Sequence, residues 1–143
     1  MPRPIGESAT GLNASGITLE YFPSLRSPYT AVGHQRVMDL VKRSGVTLKL
    51  RPVMPMMMRG VPAPRQKQLY IISDSKRESV AAGVRFQNFV DPLGEPVKRA
   101  FSLYPWVTRQ GKAEVFVAAY LRAAWADGVD ICSDSGLRLV IES

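Results

Sequence analysis

The sequence predicts an α/β protein in which a parallel βαβ unit is followed by a block of helices. Two stretches, residues 17–22 and 46–53, alternate apolar and polar side chains as partly buried strands do. Between them, residues 28–44 carry apolar side chains mostly at helical spacing. A strand, a helix and a strand in this order and length predict a right-handed crossover with parallel strands. From residue 65 onward no further strand is convincing, so the remainder is predicted to be helical.

The first helix is predicted to begin at a serine that is followed by a proline. Ser27 suits the N-cap, Pro28 suits the first helical position, and Gly45 can adopt the left-handed conformation that ends a helix. Unpaired amides and the positive end of the helix dipole meet at the Ser27 hydroxyl, so this is a place to hold an anion, including a thiolate. An ordinary helix cap is the alternative interpretation of the same residues.

The rest of the chain is predicted to form a connector and four helices. Residues 54–64 are rich in proline and methionine and too interrupted for a long helix. Pro105 is expected to kink or end the second of the four helices. The predicted helices are residues 66–82, residues 96–109, residues 112–126 and a last helix that begins at Ser133 and runs to the C-terminus.

The predicted domain organisation is one domain preceded by a flexible leader. Residues 1–16 lack apolar periodicity and are rich in Pro, Gly, Ser and Thr. Residues 17–143 are assigned to the domain, with 17–53 as the βαβ unit and 54–143 as the connector and the helices. No secretory signal and no membrane-spanning apolar run are recognisable, which favours a cytoplasmic location without membrane contact.

Cysteine and histidine usage restricts the possible chemistry. The one cysteine, Cys132, allows neither an internal disulfide nor a four-thiolate metal site, and no metal site is predicted. The one histidine, His34, has polar neighbours in the first helix and is predicted to lie on the surface. Cysteine–histidine catalysis requires these two side chains to meet, and nothing in the sequence indicates that they do. Cys132 is expected to be inert or partly buried.

The net charge of +7 favours an anionic partner such as a phosphate, a carboxylate-bearing ligand or nucleic acid. The basic residues are scattered along the chain, and no aromatic-rich nucleic-acid motif accompanies them. Nucleic-acid binding is therefore an unfavoured alternative to a solvated basic surface.

Several short motifs follow one another in order along the domain. They are Ser-Pro-aromatic at the start of the first helix, Leu-Arg-Pro after the second strand, a Pro-rich link into a helix, and an Asp-Gly turn before the last helix. The residues are 17–22, 27–30, 50–52 and 127–131, with Lys67, Tyr70 and Asp74. In these landmarks the chain resembles the 2-hydroxychromene-2-carboxylate isomerases and kappa-class glutathione transferases, within the DsbA-like branch of the thioredoxin superfamily.

The resemblance implies a thioredoxin-like α/β fold: a βαβ half, a large helical insertion and a closing ββα segment. The helices after residue 65 correspond to the insertion. No counterpart of the closing segment precedes residue 143, so the expected fold is thioredoxin-like and apparently truncated before it. The cis-proline loop that would face Ser27 belongs to that segment.

The resemblance also implies a role for glutathione as cofactor. In dithiol relatives the positions of Ser27, Pro28, Tyr29 and Thr30 hold Cys-x-x-Cys; without a thiol, disulfide exchange is excluded at this site. Ser27 is implied to be catalytic, because its hydroxyl can donate a hydrogen bond to the glutathione sulfur and so favour the thiolate. Pro28, Tyr29 and Lys67 are implied glutathione contacts, although a solvated helix lysine is an alternative for Lys67.

The methionine-rich connector is a candidate wall for a flat aromatic substrate, with Met54 and Met57 as the predicted contacts. Plain core or interface filling is the alternative. The leading functional hypothesis is a glutathione-dependent isomerase of the 2-hydroxychromene-2-carboxylate type. A kappa-type glutathione transferase and a non-catalytic, partner-binding or homodimeric thioredoxin-like module are the alternatives.

Overall fold

The computed structural model describes residues 16–143, and within them the predicted βαβ unit is present. Strand β1 is Thr18–Tyr21, helix α1 is Pro28–Ser44 and strand β2 is Thr47–Leu50. The two strands pair in parallel, with Thr18 opposite Thr47 and Tyr21 opposite Leu50. The predicted leader lies outside the described residues, apart from Gly16.

Each strand of this small sheet alternates exposed and half-buried side chains, as the sequence pattern predicts. On the exposed face, Glu20 lies 2.9 Å from the Arg51 guanidinium and 3.8 Å from Lys49 Nζ. A polar face carrying ion pairs tolerates water. Among residues 16–143 this face of the sheet is exposed, whereas parallel sheets are usually covered on both faces.

The connector and the second half are helical, as predicted, with some changes of boundary. The connector contains a short 3-10 turn, and a π-helical turn continues directly from the fourth helix. The elements are the 3-10 turn Met56–Arg59, α2 Arg65–Ala82, α3 Glu95–Arg109, α4 Ala113–Arg122, the π-helical turn Ala123–Asp127 and α5 Asp134–Glu142.

Helix α3 runs through Pro105, in agreement with the predicted helix over residues 96–109 and not with the alternative that Pro105 ends it. The helix continues for four residues to Arg109. Val97, Ala100 and Val107 are buried, and packing of this apolar stripe holds the helix together across the proline.

The hydrophobic core is centred on α4 and the π-helical turn. The largest fully buried side chain is Tyr120, and α1 packs against both α2 and α4. The core also contains Leu25, Val32, Phe86, Phe116, Val117, Leu121, Trp125 and Ile131. Because α4 is apolar around most of its circumference, it occupies the centre and packs against α1, α3 and α5.

The structure corrects the sequence prediction for His34, which is buried, with only 3% of its surface exposed. The Tyr21 ring stacks on its imidazole with the centroids 5.7 Å apart, and Tyr21 Oη lies 3.1 Å from His34 Nδ1. The residues next to His34 in the sequence are polar, but they lie on other faces of the helix. The prediction of a surface position from these neighbours was therefore wrong. None of the helices in the described residues combines the length and apolarity of a membrane span.

Candidate functional site

The start of α1 has the geometry that the sequence predicts. Ser27 has extended backbone angles and its Oγ accepts a hydrogen bond from the Thr30 amide at 3.3 Å. Pro28 occupies the first helical position, and Gly45 ends the helix in the left-handed region. A serine hydroxyl that accepts one bond still has its hydrogen to donate, and no acceptor for it occurs among the described residues.

Ser27 borders a cavity of about 280 Å³ between the start of α1, the connector and α2. The structure brings four predicted site residues to this cavity: Ser27, Pro28, Tyr29 and Lys67. The other lining residues are Ser24, Arg26, Pro55, Met56, Ala63, Gln68, Ile71, Ile72, Asp91 and Trp125. The wall is mostly apolar with a few polar groups, the usual character of a small-ligand site.

The methionine connector contributes a different residue to the cavity from the two singled out in the sequence. Met56, the first residue of the 3-10 turn, lines it, whereas Met54 and Met57 do not. Met57 Sδ instead lies 3.3 Å from an Arg26 Nη, and the Met54 carbonyl accepts a hydrogen bond from Arg59. The 3-10 turn decides which methionine faces the cavity, and the sequence pattern did not reveal that turn.

Arg26 and Asp91 form a bidentate ion pair at the cavity rim. Arg26 Nε and Nη2 donate to the two Asp91 carboxylate oxygens at 3.0 and 2.8 Å. Asp91 also accepts from the Leu93 amide, which holds it in the turn before α3. The hydrogen bond to Asp91 raises the pKa of Arg26, so this guanidinium stays charged and is neutralised locally.

Tyr29 and Asp74 join the first turn of α1 to α2. Tyr29 Oη donates a 2.6 Å hydrogen bond to Asp74 Oδ2, and this bond raises the pKa of Tyr29 to about 12. The same bond lowers the pKa of Asp74, which also accepts a hydrogen bond from Arg77. Tyr29 is therefore a neutral phenol whose proton is already engaged.

Lys67 is the cavity cation without an ion-pair partner among residues 16–143. It lies in the first turn of α2 and is exposed, so it is free to meet an anionic group at the cavity mouth. Arg26, in contrast, is already paired with Asp91. The fixed positive charge for a ligand thus comes from Lys67 and from the amino end of α1.

Trp125 is a cavity residue that the sequence interpretation did not identify. It lies in the π-helical turn, is 3% exposed, and packs against both Phe86 and Phe89, with ring centroids 5.8 and 5.5 Å away. Its indole Nε1 is buried and has no hydrogen-bond partner among the described residues. In the sequence, the one feature that marks Trp125 is its position just before the Asp-Gly turn. This position does not indicate that the indole lines the Ser27 cavity.

The lone cysteine and histidine do not join this site. Cys132 is exposed in the turn before α5, and desolvation together with the charge of Asp130 raises the pKa of its thiol. His34 lies in the interior against Tyr21. In the part of the chain that the structure describes, no group of three or more His, Cys, Asp or Glu side chains could hold a metal ion.

Comparison with known proteins places the chain in a family. Neither the curated proteins nor the solved structures include a significant match to it. The family model described as DSBA-like thioredoxin domain matches residues 18–143, which include both strands, all the described helices and the cavity. The chain therefore belongs to the DSBA-like thioredoxin domain family.

Proposed function

We propose that the chain binds glutathione in the Ser27 cavity and acts as a glutathione-dependent isomerase of the 2-hydroxychromene-2-carboxylate type. Membership of a DSBA-like thioredoxin family points to thiol-based redox or glutathione-related chemistry. The observation that carries the proposal is the Ser27 hydroxyl, which caps a 17-residue helix and borders a small-ligand cavity.

Ser27 is suited to hold a thiolate rather than to act as one. Its Oγ accepts from the Thr30 amide, which leaves the hydroxyl hydrogen for a ligand sulfur. No acidic side chain occurs in the first turn of α1, so the positive end of the dipole is not neutralised there. Donation to a bound sulfur would favour its charged form and lower the thiol pKa.

Disulfide exchange by the chain itself is not supported. Ser27 replaces the attacking thiol, and a hydroxyl does not exchange with disulfides. Cys132 lies outside the cavity lining, and its raised pKa disfavours the thiolate. We therefore infer that a bound thiol cofactor supplies the thiol at this site.

The cavity walls favour an anionic ligand with an apolar body. Lys67 offers a charge without a partner among the described residues, and Ile71, Ile72, Met56 and Trp125 offer apolar surface. In this arrangement Lys67 binds a carboxylate, Ser27 orients the sulfur, and the apolar walls exclude water from an aromatic substrate. The chemistry supplied by bound glutathione is that of a thiolate nucleophile that is regenerated when isomerisation is complete. We place this activity in the cytoplasm, where thiols are kept reduced.

The test is calorimetric titration of glutathione into the wild type, Ser27→Ala and Ser133→Ala. Ser133 is a matched control, because its Oγ also caps a helix, accepting from the Gly136 amide at 3.0 Å, and it does not line the cavity. We expect saturable binding to the wild type and to Ser133→Ala. Ser27→Ala should bind more weakly and raise the thiol pKa. Absence of binding to folded wild type, or equal binding by all three proteins, would contradict the proposal.

Two alternatives give different results in the same samples. A kappa-type transferase would consume glutathione when an electrophilic substrate is added, whereas the isomerase regenerates it. A non-catalytic, partner-binding or homodimeric module is favoured by the exposure of Ile17 (58%) and Phe22 (53%) at the two ends of β1. That alternative predicts a dimer by light scattering and no glutathione binding.

A further inference from the structure

The face of the molecule formed by α3, α4 and α5 carries exposed apolar side chains around one groove. The groove has a volume of about 390 Å³, and Trp106, Val115 and Ile141 line it. These three side chains, together with Leu139 of α5, are each at least 39% exposed. Exposed apolar groups that cluster in this way mark interaction surfaces, and tryptophan is among the residues that contribute most to binding at interfaces.

Helix α5 has apolar side chains on its exposed side as well as on its buried side. Leu137 and Val140 are buried, whereas Leu139 and Ile141 are exposed. A helix that packs only on its own core needs a single apolar stripe. The exposed pair is therefore not required for packing within the described residues and is available for a second contact.

Two opposite charges also lie on the exposed side of α5. Arg138 and Glu142 are four residues apart, so their side chains lie on the same face of the helix. Neither has an ion-pair partner among residues 16–143. Their order agrees with the lack of a pair within the helix, because a basic residue four positions before an acidic one is the less favourable arrangement. Both charges are thus available to a partner.

This arrangement is complementary to itself. When two copies of α5 pack antiparallel about a two-fold axis near Val140, Arg138 of one copy lies opposite Glu142 of the partner subunit. The reverse contact follows by symmetry, so the dimer gains the ion pair twice. The same axis brings Leu139 and Ile141 of both copies to the centre of the contact.

The charge balance of this face favours a second copy as the partner. With a net charge of +7, the chain as a whole repels another copy. On this face Arg99 is paired with Asp134, and Arg138 is balanced by Glu142, so these four charges sum to zero. Lys112, which lines the groove, adds one positive charge. A strongly acidic partner would gain little from so balanced a face, whereas a second copy meets little repulsion here.

We propose that the chain forms a two-fold homodimer in which α5 of each copy packs antiparallel against α5 of the other, beside the groove that Trp106 lines. No residue that lines this groove also lines the Ser27 cavity, so the dimer does not depend on glutathione binding. A dimer built on the exposed ends of β1 is a different arrangement, and substitutions in α5 distinguish the two.

Two charge substitutions make the test specific. Arg138→Glu leaves only acidic side chains at the two positions, and Glu142→Arg leaves only basic ones. Both positions are exposed, so the fold should persist, which circular dichroism checks. Sedimentation equilibrium between about 10 μM and 1 mM covers the range of weak self-association. We expect a wild-type dimer, and a dissociation constant at least about tenfold higher for each variant, because like charges then face each other twice.

An equimolar mixture of the two variants tests the antiparallel contact itself. One copy presents two acidic side chains and the other two basic ones, so the mixture should form a heterodimer about as tight as the wild-type dimer. Arg36→Glu makes the same charge change as Arg138→Glu on an exposed residue of α1 and should not weaken the dimer.

Four results would overturn the proposal. They are a wild-type chain that stays monomeric up to about 1 mM, α5 variants that dimerise as tightly as the wild type, a mixture that stays monomeric, and equal weakening by Arg36→Glu. A dimer that survives both α5 substitutions would assign self-association to another surface, such as the ends of β1.

Discussion

Arg26 and Asp91 are 65 positions apart in the chain and form a bidentate ion pair, with nitrogen–oxygen distances of 3.0 and 2.8 Å. The Arg26 side chain is 19% exposed and that of Asp91 is 46% exposed. The pair ties the loop before α1 to the turn before α3 at the rim of the Ser27 cavity. It therefore couples the position of Ser27 to the helices of the second half.

A double-mutant cycle of Arg26→Gln and Asp91→Asn should give a coupling free energy of about 1 kcal/mol. That value is at the upper end for a partly exposed pair, because the contact is bidentate and Arg26 is mostly covered. Denaturant unfolding measures it. The exposed Lys98–Glu95 pair, one helix turn apart, is the comparison and should couple by no more than about 0.5 kcal/mol. Equal coupling in the two pairs would show that bidentate geometry adds nothing at Arg26.

Gly128→Ala should destabilise the protein more than Gly83→Ala. Both glycines end a helical segment in the left-handed region, with φ of 64° and 66°. A Cβ at Gly128 would lie 2.5 Å from the Asn88 carbonyl oxygen, whereas one at Gly83 meets nothing within 4 Å. We expect a cost of about 1 kcal/mol at Gly83 and at least about 2 kcal/mol at Gly128, measured by chemical denaturation. Similar costs would contradict the close approach of Asn88.

Acid should destabilise the wild type partly through His34. Burial lowers the pKa of His34 below its usual 6.5, against the opposing influence of the Glu114 backbone. The unfolded chain therefore takes up this proton at a higher pH than the folded chain. Stability is unaffected above about pH 6.5 and falls as the pH drops below it, with a slope of up to about 1.4 kcal/mol per pH unit.

The measurement is the free energy of unfolding between pH 7.5 and 5.5 for the wild type and His34→Gln, with both pH limits set to bracket the usual pKa of about 6.5. The variant loses absolute stability because its buried side chain changes, so the slope with pH is the quantity compared. We expect a shallower slope for His34→Gln. If the stability of the two proteins fell with the same slope, titratable groups other than His34 would be responsible for the acid sensitivity.

Asp74→Asn should let Tyr29 ionise at lower pH. The hydrogen bond to the Asp74 carboxylate is the main reason that the pKa of Tyr29 is raised from 10.0 to about 12. Asparagine can still accept this hydrogen bond but carries no charge, so the pKa should return toward 10. Phenolate absorbance during alkaline titration measures the change, with circular dichroism to check folding. Adding Tyr29→Phe to Asp74→Asn should remove the extra titrating group; its persistence would assign the change to another tyrosine.

Local patterns in the sequence were sufficient for most of the secondary structure. Ser27, Pro28 and Gly45 act within one helix turn of a boundary, so the cap and the stop of α1 are readable from neighbouring residues. The alternation in the two strands and the serine that starts α5 are equally local. The sequence left open whether Pro105 kinks or ends α3, and the helix continues past it to Arg109, with Val107 buried in the core.

Only part of the candidate site could be predicted from the sequence. The sequence singled out Ser27, Tyr29 and Lys67, and the fold brings them to one cavity. It did not indicate Trp125, whose place in the wall depends on the π-helical turn.

By itself, the sequence determined the βαβ unit, the helical second half, the serine at the amino end of α1 and the absence of a second cysteine. These follow from periodicity, capping and composition, which act over a few residues. Only the tertiary structure decided that His34 is buried, that Arg26 is paired with Asp91 and that Trp125 lines the Ser27 cavity. Burial and ion pairing depend on residues distant in the chain, and no local pattern encodes which of them will meet.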